Sequence, residues 1–319
     1  MSPAPSASTG PGTRWHMTTA EVASRTCAVL SVGDVLHVPA FLRGFEGAAH
    51  VLKAWESMED DLRSWVPEPS EVVQGRRLQP LQFPHKVLCS GPNFTDHLAE
   101  MGESGLGEAW SGYFFLKPPT TALIADGEPI LVDDLAAARA DYEGELALVV
   151  GRGGRRIDPA AALGHVAGYL VANDVSLRGP HRRDTPAKPF QWDWLASKGA
   201  DTSLPLGPGV VPAWQVPDPQ ALRIHTWVNG QLKQDGTTAD MVLDVAHLVA
   251  DASVLVTLEP GDLILTGTPA GVGASSGTFL ADGDEVRVEI PGVGSISNRV
   301  HERGDHRKDD RLEPGEGPR

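Results

Sequence analysis

Hydrophobic and polar positions change their spacing along the chain, and each spacing predicts a different element. Large apolar residues recur every three or four positions between residues 45 and 65, which predicts an amphipathic helix packed on a core. A further helix is predicted over 241–254. Residues 222–228 and 284–290 alternate between apolar and polar side chains, as half-buried strands do. Asn229-Gly230 then predicts a hairpin turn.

Two apolar runs, residues 146–150 and 166–172, predict buried strands. Shorter strands are predicted at 86–91, 113–116 and 262–266, and a hairpin at 26–38 with its turn at 31–34. Thr18-Thr19-Ala20-Glu21 resembles a helix cap. No strand–helix–strand rhythm is present, which disfavours a doubly wound parallel sheet. The predicted fold class is therefore mixed α/β and rich in β-structure.

The distribution of proline, glycine and charge predicts the domain organisation. Residues 1–16 are poor in apolar residues and are predicted to be a disordered extension. Residues 66–85 hold four prolines and are interpreted as a linker. These features predict a small N-terminal domain with its linker over 17–80, a catalytic domain over 81–303 and a frayed charged tail over 304–319.

Composition narrows the class of partner. The 319 residues have a net charge of −15 and no long basic run, which argues against nucleic-acid or anionic-membrane surfaces. Two cysteines are too few for a disulfide framework and favour a reducing cytoplasm. We find no apolar signal core and no apolar stretch of the ~20 residues that a membrane span needs.

Three acidic residues stand at the ends of the two buried strands. Glu143 and Glu145 are two apart and share a face if the strand starts there, and Asp174 follows the second run. Carboxylates without a cysteine or histidine cluster suit a hard cation, Mg²⁺ first, then Mn²⁺ or Ca²⁺. The alternatives are two acids at a solvated strand edge and a turn-forming aspartate.

A histidine, a lysine and a glycine-rich loop complete the candidate chemistry. His97 and Glu100 are three apart, so on a helix they form either a general-base pair or an exposed ion pair. Lys198 could stabilise an oxyanion, although its spacing alone favours a surface lysine. Residues 266–273 can offer hydroxyl and N–H groups to an anion.

Taken together, these motifs resemble the fumarylacetoacetate hydrolase family over roughly residues 86–300. Several of the family's motifs occur in the family's order. They are Gly-Pro-Asn-Phe-Thr-Asp-His-Leu-Ala-Glu-Met (91–101), Phe-Leu-Lys-Pro (115–118), Glu-Gly-Glu-Leu (143–146), Ala-Asn-Asp-Val-Ser-Leu-Arg (172–178) and Leu-Thr-Gly-Thr-Pro-Ala-Gly-Val-Gly (265–273).

The resemblance implies a β-roll of mixed sheets, usually a homodimer, and a role for each matching residue. Glu143, Glu145 and Asp174 would hold Mg²⁺ or Mn²⁺. His97 with Glu100 would activate water, and Lys198 would be the catalytic lysine. The remaining implied positions are Arg178 and Thr268 at the substrate and Thr202 in the outer shell of the metal.

Departures from the family pattern fall around the substrate. His181 stands where the family has a glutamine that touches substrate, and Phe94 replaces a tyrosine. The segment 181–194, rich in Arg and Trp, is particular to this chain. His181 either lines the pocket and sets substrate choice or is turned into solvent by the preceding Gly-Pro.

The implied activity is metal-dependent hydrolysis of a carbon–carbon bond in a 2,4-dioxo acid, an acylpyruvate or fumarylacetoacetate-like molecule. His97 would activate the attacking water, while the metal and Lys198 would stabilise the enolate that leaves. Decarboxylation of an oxaloacetate-like acid and keto–enol tautomerisation are alternatives within the family, as is a larger biosynthetic substrate. A non-catalytic relative that binds a dicarboxylate is the alternative outside enzymes. In each case the ligand is a small anionic 2-oxo acid or diketone.

Overall fold

The computed structural model describes residues 14–103 and 111–304. The extension predicted for residues 1–16 and the tail predicted for 304–319 lie almost wholly outside this part. Trp15 is buried and a strand already begins at His16, so ordered packing starts inside the predicted extension. Eight α-helices occur in the described residues: α1 Ala48–Lys53, α2 Trp55–Ser64, α3 Thr95–Glu100, α4 Leu135–Ala138, α5 Pro159–Ala162, α6 Trp194–Lys198, α7 Val245–Leu255 and α8 Gly273–Ser276.

The described residues also form nineteen strands. In chain order they are β1 His16–Val22, β2 Arg25–Val32, β3 Val35–His37, β4 Val72–Val73, β5 Arg76–Arg77, β6 Val87–Ser90, β7 Phe114–Leu116, β8 Leu123–Ala125, β9 Ile130–Val132, β10 Ala140–Asp141, β11 Gly144–Val150, β12 Val166–Asn173, β13 Ser176–Leu177, β14 Leu204–Pro212, β15 Arg223–Val228, β16 Gln231–Thr237, β17 Leu263–Leu265, β18 Glu285–Ile290 and β19 Gly294–Glu302.

Most of these strands belong to one large mixed sheet. Its order is β4-β3-β2-β1-β14-β12-β11-β17-β6-β7, and β5 and β8 pair with β1 and β14. A second sheet has the order β16-β15-β18-β19-β9, and β10 pairs with β13. Most pairs are antiparallel, with parallel exceptions at β8–β14, β6–β17 and β9–β19. The prediction of a β-rich mixed α/β fold without a doubly wound sheet is confirmed.

The two buried strands at the centre of the large sheet separate two hydrophobic cores. Successive side chains of a strand point to opposite faces. In β11, Leu146 and Leu148 therefore enter one core, whereas Ala147 and Val149 enter the other. Strand β12 divides its side chains between the same two cores. Because both faces are covered, the strands are apolar without alternation, as their sequences predict.

The N-terminal elements pack directly on this sheet. The apolar stripe predicted over 45–65 is confirmed as two consecutive helices, α1 and α2, whose buried side chains join the core that contains Ala147 and Val149. The stretch predicted as a linker carries β4 and β5, which pair with β3 and β1. The division into domains near residue 80 stays a prediction, and the two parts share a sheet and a core.

One local prediction is wrong. Thr18 and Thr19 do not cap a helix, because they lie in β1, which pairs with β2 along its whole length. Both threonines are buried, and β-branched residues suit a pleated, packed surface. The hairpins predicted at 31–34 and 229–230 are confirmed. Within the described residues, no helix has the length and apolarity needed to cross a bilayer.

Close packing between β12 and β14 predicts a sharp effect of one added methyl group. A Cβ built on Gly168 would lie 2.2 Å from the carbonyl oxygen of Val211, a backbone atom that the sheet holds in place. We expect Gly168→Ala to lower the free energy of unfolding by about 1–3 kcal/mol through overpacking. Chemical denaturation followed by circular dichroism measures the change.

Gly164→Ala is the matched control, since a Cβ at Gly164 meets no atom within 4 Å. Its free energy of unfolding should stay within about 0.5 kcal/mol of the parent. Equal stability of the Gly168 variant and the parent would contradict the packing described for this pair of strands.

Candidate active site

Three strand ends meet at one edge of the large sheet and carry the acidic residues. Strands β11 and β12 are antiparallel, and their register places Gly144 opposite Asn173 and Glu145 opposite Ala172. Asp174 directly follows β12, and its N–H donates to the carbonyl oxygen of Glu143 over 2.8 Å. Strand β17 ends at the same edge because it runs antiparallel to β11.

The carboxylates of Glu143, Glu145 and Asp174 converge there. All three side chains are buried, and one oxygen from each lies within 4.8 Å of the others. Oε1 of Glu143 accepts from Arg178 Nη2 at 2.5 Å, and its Oε2 accepts from Lys198 Nζ at 2.6 Å. The three acids are therefore one buried cluster rather than a solvated strand edge.

Two buried lysines hold Asp174. Lys198 Nζ lies 2.8 Å from Oδ2, and Lys117 Nζ lies 2.7 Å from Oδ1. Lys198 is 4% exposed, so it is not a surface lysine, and it lies beside the acids. Burial opposes the charged form of Lys198, but Asp174 and Glu143 raise its pKa above the ordinary value.

Glu145 lacks such a cation. Among the described residues it forms no ion pair, and Gly267 donates one backbone N–H to its Oε2 over 2.7 Å. Burial, and then the negative charges of Asp174 and Glu143, raise the pKa of Glu145 well above its usual range. An uncompensated buried carboxylate beside two others is the environment that a divalent cation stabilises, so the donor set fits Mg²⁺ or Mn²⁺.

The loop after β17 supplies backbone N–H groups to several acids. Gly267 adopts a left-handed φ of +89°, and a Cβ there would lie 3.0 Å from Asn93 Cβ, so glycine suits this turn. Gly271 donates to Glu100 Oε1 at 3.0 Å, and Gly273 donates to Asp141 at 2.6 Å. The anions that this loop binds within the described chain are thus the protein's own carboxylates.

His97 and Glu100 form the predicted pair on α3. Nδ1 of His97 lies 3.0 Å from Oε2 of Glu100. Burial opposes ionisation, yet hydrogen bonds from Ser275, Gly271 and His97 lower the pKa of Glu100. An ionised Glu100 accepts the proton of Nδ1, which leaves Nε2 free to take a proton from a reactant. His97 is buried, so the exposed ion pair is excluded.

A cavity of about 270 Å³ joins the acids to the pair. Thr268 lines it, and its hydroxyl donates to Gly144 O at 2.9 Å and accepts from Gln234 Nε2 at 2.7 Å. Further lining residues come from the charged cluster, from α3 and the residue after it, from β7, and from the segment between His181 and Lys198. They include His97, Glu100, Met101, Phe115, Glu143, Glu145, Arg178, His181, Trp194 and Lys198.

His181 lines this cavity rather than pointing into solvent. Its ring packs edge-on against Trp194 and Trp192, with centroid distances of 4.7 and 5.1 Å. Burial, and then the positive charges of Arg178 and Lys198, lower its pKa below the ordinary value. The imidazole is therefore neutral near pH 7.

Two residues implied at the site lie elsewhere. Phe94 is fully buried in the core beneath α3 and does not line the cavity. The Thr202 hydroxyl accepts from Leu131 N–H at 2.8 Å, and Thr202 is also absent from the lining. Its neighbour Ser203 accepts from Lys117 Nζ at 3.0 Å, so this hydroxyl is the one linked to the acids.

Three residues that build the site had no role assigned to them from sequence alone. Lys117 binds Asp174, Asp141 accepts from Arg178 Nε at 2.9 Å, and the side chain of Gln234 links Gly144 to Thr268. Lys117 stands in the Phe-Leu-Lys-Pro motif, and Asp141 lies two residues before Glu143, so both had a local signal. Gln234 is an ordinary residue of a hairpin strand and had none.

Comparison with known proteins identifies the class. A sequence model described as fumarylacetoacetate (FAA) hydrolase C-terminal matches residues 86–301. The chain is 34% identical over 261 residues to Oxaloacetate tautomerase YisK of Bacillus subtilis, covering 80% of this chain and 82% of that protein. The chain belongs to the fumarylacetoacetate hydrolase family.

Solved structures agree. The fumarylacetoacetate hydrolase of Exiguobacterium antarcticum superposes with a TM-score of 0.74 at 32% identity, covering 91% of this chain and all of that one. A maleylpyruvate hydrolase of Sphingobium sp. SYK-6 in complex with manganese(II) and pyruvate has a TM-score of 0.71 at 27% identity, covering 90% and 99%. The chain is an enzyme of this family, whose members are hydrolases, decarboxylases or isomerases. The manganese in the neighbouring structure, together with the three carboxylates, supports a divalent metal site in this chain.

The carboxylate cluster predicts loss of metal affinity on neutralising either glutamate. Glu143→Gln and Glu145→Gln each remove a negative ligand, so we expect Mg²⁺ or Mn²⁺ affinity to fall by at least about tenfold. Isothermal titration calorimetry measures the affinity directly. Glu259→Gln, in a second acidic group at the surface, is the control and should leave it unchanged. Unaltered affinity in both site variants would refute the assignment.

The cavity position of His181 predicts an acid-side pH effect. Because the pKa of the His181 ring is lowered from the ordinary value of 6.5, the ring gains its charge only at a more acidic pH than an ordinary histidine does. Affinity for an anionic substrate should rise there, and His181→Gln should remove this rise and change the substrate ranking. His301→Gln, an exposed histidine, serves as the control. Identical affinity, ranking and pH profile in parent and His181→Gln would show that His181 does not contact substrate.

Proposed function

We propose that the protein hydrolyses the C3–C4 bond of a 2,4-dioxo acid and releases a 2-oxo acid and a carboxylic acid. The observation that carries this proposal is the His97–Glu100 pair, which lines the same cavity as Glu143, Glu145 and Lys198. A base beside a candidate metal centre is what water attack on a carbonyl needs.

Glu143, Glu145 and Asp174 are the residues that would hold the metal, with Mg²⁺ as the proposed ion because it prefers carboxylate oxygens. When bound, the ion supplies Lewis-acid polarisation of the substrate's carbonyl oxygen. Three cations lie beside the cluster, the buried Lys117 and Lys198 and the partly exposed Arg178, and they offset much of its negative charge. A substrate carboxylate can then enter without strong repulsion.

The proton transfers fall to His97. Glu100 holds Nδ1, and Nε2 takes a proton from water while the oxygen of that water attacks C4. The C3–C4 bond breaks, and its electron pair stays on C3 as an enolate. Lys198, a fixed ammonium inside a buried site, stabilises the enolate oxygen. A proton returned to C3 completes the 2-oxo acid.

Tautomerisation of oxaloacetate is a second candidate, favoured by the tautomerase from Bacillus subtilis. It needs a base that removes a proton from C3 and returns it to oxygen, and His97 can serve in both directions. No water is consumed. The homodimer implied by the family resemblance and the cytoplasmic location inferred from the two cysteines stay predictions.

Removing the base tests the proposal. With Mg²⁺ and 2,4-dioxopentanoate, His97→Ala should lower kcat by about 10²–10⁴-fold, the usual worth of a general base. Glu100→Gln should lower it less, because the imidazole remains but is held less firmly. Loss of the dioxo-acid absorbance gives the rate, and mass spectrometry identifies the two acids formed.

The controls separate catalysis from metal binding. Metal affinity by calorimetry should be unchanged in His97→Ala, since His97 is not part of the carboxylate cluster. Near-normal turnover by this variant would rule out His97 as the base. Interconversion of oxaloacetate tautomers without cleavage of any dioxo acid would instead establish the second candidate.

A further inference from the structure

Two aromatic rings line the cavity, and we call this pair, Phe115 and Trp194, the aromatic wall. The rings stack at a centroid distance of 5.1 Å with an interplanar angle of 26°. Tyr113 packs on Trp194 from outside the lining at 5.4 Å. The wall thus contributes aromatic surface to the cavity.

Local structure holds the wall in place. Trp194 begins α6, and the Asp193 side chain caps this helix by accepting from Ala196 N–H at 2.9 Å. Asp193 N–H in turn donates to the carbonyl oxygen of His181. Phe115 lies in β7, paired with Cys89 of β6. Because backbone hydrogen bonds fix both ring-bearing segments, the stacked pair is preorganised for a ligand.

The wall is next to the charged cluster. Lys198 Nζ, which binds Glu143 and Asp174, lies 5.2 Å from the centroid of the Phe115 ring. A 2-oxo acid held at the carboxylate cluster would therefore lie close to the Phe115 ring. In a 2,4-dioxo acid the C4 substituent is farthest from the 2-oxo acid group, so it is the part that can extend to the aromatic wall.

The described residues that line this cavity offer no free cation to a second carboxylate. Among its described lining residues, Arg178 is paired with Asp141 and Glu143, and Lys198 is paired with Glu143 and Asp174. The remaining lining bases are His97, held by Glu100, and His181, whose pKa is lowered. Glu100 itself adds negative charge. A dicarboxylate would leave one carboxylate desolvated and unpaired.

We propose that the preferred substrate is a 2,4-dioxo acid whose C4 substituent is flat and uncharged, an aryl or conjugated group that stacks on Phe115 and Trp194. The inference rests on the proposed function. It names a substrate class for the same site and sets the chain apart from enzymes that act on dicarboxylates. The reaction with a phenyl substituent consumes water and yields benzoate and pyruvate.

The test compares four substrates with the Mg²⁺-loaded protein. They are 2,4-dioxo-4-phenylbutanoate, 2,4-dioxopentanoate, fumarylpyruvate and oxaloacetate. We expect kcat/KM for the phenyl compound to exceed that for 2,4-dioxopentanoate by about tenfold, because the phenyl ring buries more apolar area than a methyl group and stacks on the aromatic wall. The two dicarboxylates should rank below the phenyl compound.

Trp194→Ala should remove this preference. Its kcat/KM for the phenyl compound should fall by about tenfold more than its kcat/KM for 2,4-dioxopentanoate, because only the phenyl ring can stack on the indole. Phe190→Ala is the matched control: Phe190 is an aromatic residue in the same segment, 67% exposed and outside the cavity lining. Its substrate ranking should equal that of the parent.

The two proposals fail in different ways. Turnover of 2,4-dioxopentanoate with no preference for the phenyl compound, or with a preference for a dicarboxylate, overturns the inference and leaves the hydrolase function standing. A ranking unchanged by Trp194→Ala also overturns it. If none of the three 2,4-dioxo acids is cleaved, the proposed function fails and the inference fails with it.

Discussion

Burial of negative charge is the constraint on which the rest of this structure depends. Asp141, Glu143, Glu145 and Asp174 are all buried at one sheet edge, where unpaired carboxylates would be strongly destabilising. The chain answers with two buried lysines, with the partly exposed Arg178 and with backbone N–H groups from the loop after β17. One acid, Glu145, keeps no cation among the described residues, and a divalent ion would stabilise its negative charge.

The arrangement of the strands keeps these acids away from water and close to one another. An antiparallel pair buried between two cores places the start of β11 beside the end of β12, and β17 delivers its loop to the same edge. The cavity then has a charged side suited to a 2-oxo acid and an aromatic side built from β7 and α6. As proposed, the charged side carries the catalysis and the aromatic side selects the substrate, so one could vary while the other stays constant.

Much of this could be predicted from sequence because the signals are local. The apolar runs that form β11 and β12, the hairpin at Asn229-Gly230 and the three-residue spacing of His97 and Glu100 each follow from periodicity or chain geometry. The three carboxylates could be proposed as metal ligands for the same reason: each directly adjoins a buried strand. The family motifs added Arg178, and they implied a role for Lys198, which without that context was read as a surface lysine.

Only the tertiary structure decided the contacts between segments far apart in the chain. Phe94 is buried in the core and does not line the cavity, and the Thr202 hydroxyl accepts a hydrogen bond from Leu131. Lys117 and Gln234 bind residues of the charged network. Thr18 and Thr19 became strand residues because β2 was available to pair with them. His181 reached the cavity because Trp192 and Trp194 pack around its ring. Local sequence determines periodicity and spacing. Burial and strand pairing depend on which distant segment a side chain packs against, and only the folded structure determines those contacts.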